Sequence, residues 1–290
     1  MFCFENDMRL IERHSRGHWW PYRCAALLIF TLTSSIAWAD LAMETETARI
    51  LEPGHFEIST AFEFQTAPDG REYALPMAIE VGVYRHLELL IEPVAVTSIQ
   101  PKGGETATGI GDLETTVTYL IIEEKKYVPA FAIAAEVKFP TAGNRQIGSG
   151  EYDYRFYGVA SKRLGDFDVH LNVGYNVIGS PPGVSTKNPI DVEAGVEWFV
   201  HPKFNVFAEI NYIGSSIGSS VAAEGGGAAA ALAAAETADG ASGTPEIAAE
   251  EIVGTVGVRA HATRHLDVFG SFSYDNNSAK LFRTGVTIKF

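Results

Sequence analysis

The chain has 290 residues, of which 46% are hydrophobic, 11% aromatic and 20% charged, and its formal net charge is −14. This composition excludes an intrinsically disordered chain, and the acidic balance excludes nucleic acid as a partner, because nucleic-acid binding needs a basic surface. After residue 39 no uninterrupted apolar run approaches the ~18 residues of a spanning helix. A membrane β-barrel stays compatible with the sequence, because barrel strands are short and only half apolar.

Residues 1–39 are predicted to be a secretory signal peptide. Arg23 precedes a short apolar core, and Ala37-Trp38-Ala39 forms an A-x-A site, so we expect cleavage after Ala39. Both cysteines, Cys3 and Cys24, lie in the removed part. The mature chain therefore has no disulfide and no thiolate metal site, and we expect no cofactor. Residues 40–53 are predicted to be a short periplasmic N-terminal segment.

From Gly54 onward the apolar residues recur with a period of two. In the first such segment Phe56, Ile58 and Phe62 fall on one face, and Glu57 and Glu63 fall on the other. Alternation of this kind predicts a strand with one apolar side. Twelve such segments occur, each about as long as a tilted strand that crosses a bilayer. They cover residues 55–65, 73–84, 87–97, 111–122, 128–139, 152–163, 167–178, 190–200, 204–213, 250–261, 266–275 and 280–290.

Two further features favour a membrane barrel over a soluble β-sandwich, which also alternates. Short turns between the segments alternate with longer connections, and aromatic residues lie near the strand ends on the apolar face. Both are typical of outer-membrane barrels. The longer connections are predicted near 66–72, 98–110, 140–151, 179–189, 214–249 and 276–279. We therefore predict an all-β fold, namely a transmembrane up-and-down antiparallel β-barrel of about 12 strands over 54–290 in the bacterial outer membrane.

The last segment carries a separate signal. It runs from Arg283 to the terminal Phe290 and places Gly285, Ile288 and Phe290 in the order glycine, apolar, aromatic. This pattern resembles the C-terminal assembly signal of bacterial outer-membrane barrels. The resemblance implies that the barrel-assembly machinery is a partner that reads this strand.

Several phrases are similar to the outer-membrane transporter family associated with the meta-pathway of phenol degradation. They are residues 80–89 (EVGVYRHLEL), 109–113 (GIGDL), 137–143 (VKFPTAG), 148–150 (GSG), 172–175 (NVGY) and 254–259 (GTVGVR). The resemblance implies an outer-membrane barrel that passes small, often aromatic, compounds. The Ala-rich insert at 221–249 departs from the family pattern. We expect it in an extracellular Ala/Gly-rich loop at about 214–249, and folding inward as a plug is the alternative.

If the apolar face meets lipid, the polar face lines the lumen. The lumen-facing candidates are Glu57, Glu63, Glu80, Glu88, Glu114, Glu136, Lys138, Arg155, Glu193, Glu197, Glu209 and Arg259. Acids outnumber bases in this set, which predicts a path that tolerates cations and disfavours anions. The alternative is an ion-pair network that fills a narrow barrel and conducts nothing.

Signals for an enzyme are weak. The chain has no G-x-S-x-G, no H-E-x-x-H and no phosphate-binding glycine loop, and His170 with Asn172 is predicted to be a lumen polar group. A barrel phospholipase would need a Ser–His pair aimed at lipid, and the predicted outward faces contain none. Taken with the solute class that the family resemblance implies, we expect an outer-membrane channel for small hydrophobic or aromatic compounds that contacts outer-membrane lipid. A closed structural or surface-interaction barrel is the alternative.

Overall fold

The computed structural model describes residues 41–218 and 249–290, and these residues form an all-β structure. The strands are β1 (Phe56–Ala67), β2 (Gly70–Tyr84), β3 (Leu87–Pro101), β4 (Ala107–Gly109), β5 (Leu113–Ile122), β6 (Ala130–Phe139), β7 (Asp153–Leu164), β8 (Phe167–Val177), β9 (Ile190–His201), β10 (Phe204–Ile213), β11 (Glu251–Thr263), β12 (Leu266–Asp275) and β13 (Lys280–Lys289). No helix among the described residues is long and apolar enough to cross a membrane.

Twelve of these strands form a closed antiparallel ring. Each pairs with its neighbours in the chain, and β1 pairs with both β2 and β13, from Glu57 opposite Lys289 to Thr66 opposite Lys280. The three-residue strand β4 pairs only with β3 and lies outside the ring. Closure gives each of the twelve ring strands a neighbour on both sides, so their backbone groups can be satisfied without water. The predicted fold, a closed barrel of twelve up-and-down strands, is confirmed.

The connections differ from the prediction at one hairpin. A longer loop was predicted near 66–72, but β1 and β2 continue to Ala67 and Gly70, which pair with each other, so only residues 68–69 connect them. Pro68 and Asp69 favour such a tight turn, and the strand signal was too weak to show it. The connections 140–152, 178–189 and 214–250 at the same end are long. The opposite end has mostly short turns, and we assign it to the periplasm.

The strands expose their apolar side chains and bury their polar ones. In β8, Leu171 and Val173 are 45% and 48% exposed, whereas Asn172 between them is fully buried. This is the reverse of a water-soluble domain and is the arrangement expected when hydrocarbon surrounds the barrel. Exposed aromatic rings pair near the periplasmic ends, where Phe56 stacks on Phe290 and Phe167 on Trp198, with centroids 4.4 and 5.7 Å apart.

Two inward phenylalanines cover glycines on the neighbouring strand. Phe207 lies directly opposite Gly257, and Phe269 lies directly opposite Gly285. A Cβ added at Gly257 would lie 2.2 Å from Cζ of Phe207, so the ring occupies the space that a side chain would need. Such aromatic–glycine pairs fix register in a strongly curved sheet.

We therefore expect Gly257→Ala to destabilise the barrel by about 1–3 kcal/mol, because the new methyl forces the Phe207 ring out of its rotamer. Urea-induced unfolding in detergent micelles measures the change. Gly158→Ala is the matched control, because a Cβ there meets nothing within 4 Å, and it should change the free energy of unfolding by less than about 0.5 kcal/mol. Equal effects of the two substitutions would rule out the steric explanation.

Candidate functional site: the barrel lumen

The structure places every predicted lumen-facing side chain on the inner side of the wall. The twelve side chains belong to residues that are between 1% and 6% exposed. They are Glu57, Glu63, Glu80, Glu88, Glu114, Glu136, Lys138, Arg155, Glu193, Glu197, Glu209 and Arg259. Their role in solute passage stays a prediction.

Arg155 is the centre of a buried ion-pair cluster on β6, β7 and β9. Its guanidinium donates to Asp191 at 2.6 Å and to Glu193, and lies 3.9 Å from Glu136. The Asn172 amide donates to Glu193 at 2.9 Å. Asp191 and Glu193 therefore have the hydrogen-bond donors that buried charges require.

The other buried bases are paired as well. Lys138 Nζ lies 2.5 Å from Asp153, and Arg259 lies 2.8 Å from Glu197. This half of the lumen wall therefore contains buried ion pairs, and the prediction that such a network closes the barrel stays a prediction.

The opposite wall is acidic. Glu57, Glu80, Glu88, Glu92 and Glu114 project from β1, β2, β3 and β5, and we call these five residues the acidic wall. Glu57 lies directly opposite Glu80, and Glu92 lies directly opposite Glu114. Like charges in directly opposed positions destabilise a sheet unless protons, cations or solvent compensate them.

Residues 41–51 occupy the lumen, and we call this segment the plug. The sequence predicted a periplasmic segment over 40–53, and this was wrong for residues 41–51. Ala42 and Ala48 are fully buried against the inner wall, and the chain leaves the lumen only near Gly54, whose N–H donates to the Gly82 carbonyl at 2.9 Å. The physical reason is that these residues satisfy wall groups that would otherwise lack partners.

The first anchor of the plug lies at mid-height in the barrel. The Glu209 carboxylate accepts hydrogen bonds from the backbone N–H groups of Glu44 and Thr45, both at 3.0 Å, and from the Thr45 hydroxyl at 2.9 Å. Arg283 pairs with the carboxylates of Glu44 and Glu63 and donates to the Leu41 carbonyl at 3.2 Å. Hydrogen bonds to ionised groups are the stronger kind, so this anchor holds the start of the plug.

The second anchor lies near the periplasmic end. The Arg49 guanidinium donates to both oxygens of Asp168, at 2.7 and 2.8 Å, and to Glu124 at 2.6 Å. Burial opposes ionisation of Glu124, but hydrogen bonds from Lys162 and Arg49 outweigh it and lower the pKa of this turn carboxyl. A lowered pKa means that the anchor is intact at neutral pH and is lost only as the pH falls through the lowered value.

Ser161 is a plug contact that the sequence reasoning missed. Its hydroxyl lies 2.8 Å from Nδ1 of His170 and accepts the Ala48 N–H, also at 2.8 Å. The pair is buried in the lumen under the plug rather than aimed at lipid, as a barrel phospholipase would require. An alternating strand places such residues inside but does not show which of them meet.

The plug also covers two apolar patches of the inner wall. Leu41 and Met43 pack with Phe207 and Phe269. Ala48 packs with Tyr157 and with the small residues Ala130, Ala132 and Ala134. If the plug left the lumen, these rings and methyl groups would face the channel.

Two small cavities lie beside the plug in the described part of the lumen. One, about 90 Å³, lies at the extracellular end beside Glu44, and another, about 50 Å³, lies between the plug and the acidic wall. A cavity of about 150 Å³ holds benzene. Neither cavity therefore accommodates an aromatic ring while the plug is in place.

Three of the sequence motifs that carry the family resemblance, residues 109–113, 137–143 and 148–150, meet at the extracellular end of the barrel. The Asp112 carboxylate accepts the Ala142 N–H at 2.7 Å, the Thr141 hydroxyl donates to the Gly111 carbonyl, and Lys138 Nζ lies 3.4 Å from the Ser149 hydroxyl. Burial raises the pKa of Asp112. These contacts hold the 140–152 connection against the wall, which is a structural role for the shared phrases.

The predicted assembly-signal residues lie on the closing strand. Gly285 is covered by the Phe269 ring, Ile288 is exposed on the outer face, and the Phe290 N–H donates to the Phe56 carbonyl at 3.0 Å. The glycine and the terminal aromatic therefore have structural roles in closing the barrel. Recognition by the assembly machinery stays a prediction.

Two predictions fall outside the described residues. They are the signal peptide over 1–39 and most of the Ala/Gly-rich loop at about 214–249, of which 219–248 is not described. Within the described ranges, no group of three or more His, Cys, Asp and Glu side chains is arranged to hold a metal ion.

The barrel is similar to solved outer-membrane channels. It matches the COG4313 outer membrane channel from Pseudomonas putida F1 with a TM-score of 0.61 and 10% identity, over 84% of this chain and 98% of that one. The NanC porin gives a TM-score of 0.53 and 10% identity, over 80% of this chain and 100% of the porin. The KdgM porin in complex with disordered oligogalacturonate gives a TM-score of 0.50 and 12% identity, over 81% of this chain and 99% of the porin. The protein is therefore an outer-membrane β-barrel with the fold of porins and channels.

The family follows from the sequence match. The profile described as "Putative MetA-pathway of phenol degradation" matches residues 77–237, which is more than half of the chain. The chain belongs to this family, as the resemblance predicted. A comparison with curated protein sequences gives no match.

Proposed function

We propose that the protein is an outer-membrane channel for small hydrophobic or aromatic compounds, and that solutes pass when the plug leaves the lumen. The observation that carries this proposal is that the plug is a separate segment, held by hydrogen bonds and ion pairs rather than by strand pairing. The lumen can thus be emptied without breaking the barrel. In the closed arrangement these two cavities are smaller than the ~150 Å³ cavity that holds benzene.

The wall under the plug supports the hydrophobic part of the proposal. Displacement of Leu41 and Met43 uncovers Phe207 and Phe269, and displacement of Ala48 uncovers Tyr157. Aromatic rings stack on one another with a preference beyond simple burial. The family description, which refers to phenol degradation, agrees with this solute class.

The charge of the lumen adds a preference among solutes. Glu57 lies directly opposite Lys289 on β13, but Glu80 and Glu92 have no base directly opposite them on the neighbouring strands. A ring of carboxylates favours cations and disfavours anions. We therefore expect neutral and cationic aromatic solutes to pass more readily than anionic ones.

A closed structural barrel is the second candidate. The ion pairs of Arg155, Arg259 and Arg283 and the seated plug favour it, because they fill the lumen as a permanent packing would.

Efflux from proteoliposomes distinguishes the two. We expect the wild-type protein to pass phenyltrimethylammonium and phenyl glucoside faster than protein-free liposomes do, and to pass benzenesulfonate more slowly than either. These probes cross bare lipid poorly because they are charged or highly polar. Absence of flux for all three, both in the wild type and after removal of the plug, would favour the closed barrel. Faster passage of the anion would contradict the charge argument.

A further inference from the structure

The larger lumen cavity has the features of a binding pocket. It lies where the extracellular ends of β10, β11, β12 and β13 meet, and we call it the mouth pocket. Asn211, Val253 and Asp275 are directly paired across β10, β11 and β12, and Ile213 is paired with Glu251. The pocket wall is therefore a continuous patch of three strands rather than a gap between loops.

Asn211 leaves a polar group unsatisfied in this pocket. The residue is only 5% exposed, and its side-chain oxygen has no hydrogen-bond partner in the part of the chain that the structure describes. A buried acceptor without a partner costs about 1–3 kcal/mol. Native proteins rarely keep such a group unless a ligand or ordered water satisfies it. A ligand with a hydrogen-bond donor in the pocket would therefore satisfy the Asn211 side-chain oxygen.

The charges of the pocket specify the kind of donor. Of its lining carboxylates, Glu44 is paired with Arg283 and Glu193 with Arg155. Glu251 and Asp275 line the same pocket, and Asp275 accepts the Ala279 N–H at 2.7 Å. No lysine or arginine lies among the described lining residues. A cation that carries N–H groups could donate to both carboxylates and compensate their negative charge.

The rest of the wall is apolar. Ile213, Val253 and Leu281 line the same cavity, so a ligand with a hydrocarbon portion would bury it there. The volume of about 90 Å³ is below the ~150 Å³ that holds a benzene ring and suits a short chain instead.

We propose that the mouth pocket binds short primary alkylammonium ions, with the ammonium group between Glu251, Asp275 and the Asn211 oxygen and the alkyl chain on Ile213 and Val253. An ammonium has three N–H donors, which equals the number of these acceptors. The pocket adds a cation-binding site at the entrance of the lumen. Binding at the mouth pocket does not depend on the proposed channel function. Only the suggestion that entering solutes contact this pocket first rests on that function.

Calorimetric titration of the purified protein in detergent with n-propylammonium tests the binding, with 1-propanol and propionate as size-matched neutral and anionic ligands. We expect saturable binding of propylammonium only. Binding of propanol or propionate with equal affinity would overturn the proposal, and so would no binding of propylammonium.

Two sets of substitutions locate the site. Asn211→Leu removes the acceptor, and the pair Glu251→Gln with Asp275→Asn removes the charge, and each change should weaken binding by about tenfold or more. Glu123→Gln in an exposed periplasmic turn is the control and should leave the affinity unchanged. Unchanged affinity in both test variants, with the barrel still folded by its heat-dependent gel migration, would overturn the assignment.

Binding and transport are read separately. Propylammonium binding without efflux of any aromatic probe would support the binding pocket and contradict the proposed channel function. Efflux of the aromatic probes without propylammonium binding would support the channel function and overturn the binding pocket.

Discussion

Deletion of residues 41–50 is expected to raise the conductance of the barrel in planar lipid bilayers by about 100-fold. The two anchors of the plug contain hydrogen bonds to charged groups at Glu209 and Arg49. Each such contact contributes about 1.5–3 kcal/mol, and every 1.4 kcal/mol changes an equilibrium tenfold. Together the anchors keep the open state at about 1% or less, and the deletion removes them while leaving β1 to begin at Phe56.

Arg49→Gln is a companion variant that weakens only the second anchor of the plug. It removes one anchor and leaves Glu209 with the backbone of Glu44 and Thr45, so the conductance should rise by about tenfold. Both variants must keep the heat-dependent gel migration of a folded barrel. A folded deletion variant with wild-type conductance would contradict the view that residues 41–51 close the lumen.

Arg155→Met is expected to lower the free energy of unfolding by about 3–5 kcal/mol, because it leaves three buried carboxylates without their cation. The side chain of Arg155 is almost fully buried and contacts Asp191, Glu193 and Glu136. Reversible urea unfolding in micelles, followed by tryptophan fluorescence, measures the change.

Two companion variants test the cause of this loss. Arg85→Met breaks an ion pair between side chains that are 80% and 59% exposed, and it should change the free energy of unfolding by less than about 0.5 kcal/mol. Adding Asp191→Asn and Glu193→Gln to Arg155→Met should recover part of the loss, because the two carboxylates nearest to Arg155 are then neutralised together with it. A loss below about 1 kcal/mol for Arg155→Met alone would mean that water reaches this cluster.

The barrel wall was predictable because lipid imposes a local rule. Each residue of a spanning strand faces either hydrocarbon or the lumen, so the period-two pattern places Leu171 outside and Asn172 inside without knowledge of any partner. Strand ends were less certain, as the hairpin at residues 68–69 shows, because polar pairs such as Thr66 with Arg71 extend the ladder beyond the apolar pattern.

The plug was not predictable by the same rule. Residues 41–51 form no strand and have no period, and their partners Ser161, Asp168 and Glu209 lie more than a hundred positions away. One signal was present: Leu41, Ala42, Met43 and Ala48 are apolar or small, which is unusual for a solvated periplasmic segment. Arg155 on β7 contacts Asp191 and Glu193 on β9, two strands away, and the alternation within one strand does not show which residues of other strands it meets.

A reversible crosslink between plug and wall tests the central claim most directly. The hydroxyl oxygens of Thr47 and Ser161 lie 3.4 Å apart, so cysteines at both positions need a shift of roughly 1 Å to form a disulfide. Cys3 and Cys24 are the only cysteines of the chain and belong to the predicted signal peptide.

The measurement is the conductance of the folded Thr47→Cys/Ser161→Cys protein before and after reduction. We predict that the oxidised protein conducts less than the wild type and that a reductant restores conductance to at least the wild-type level. A folded barrel in which no disulfide forms, or whose conductance is the same oxidised and reduced, would contradict the plugged lumen.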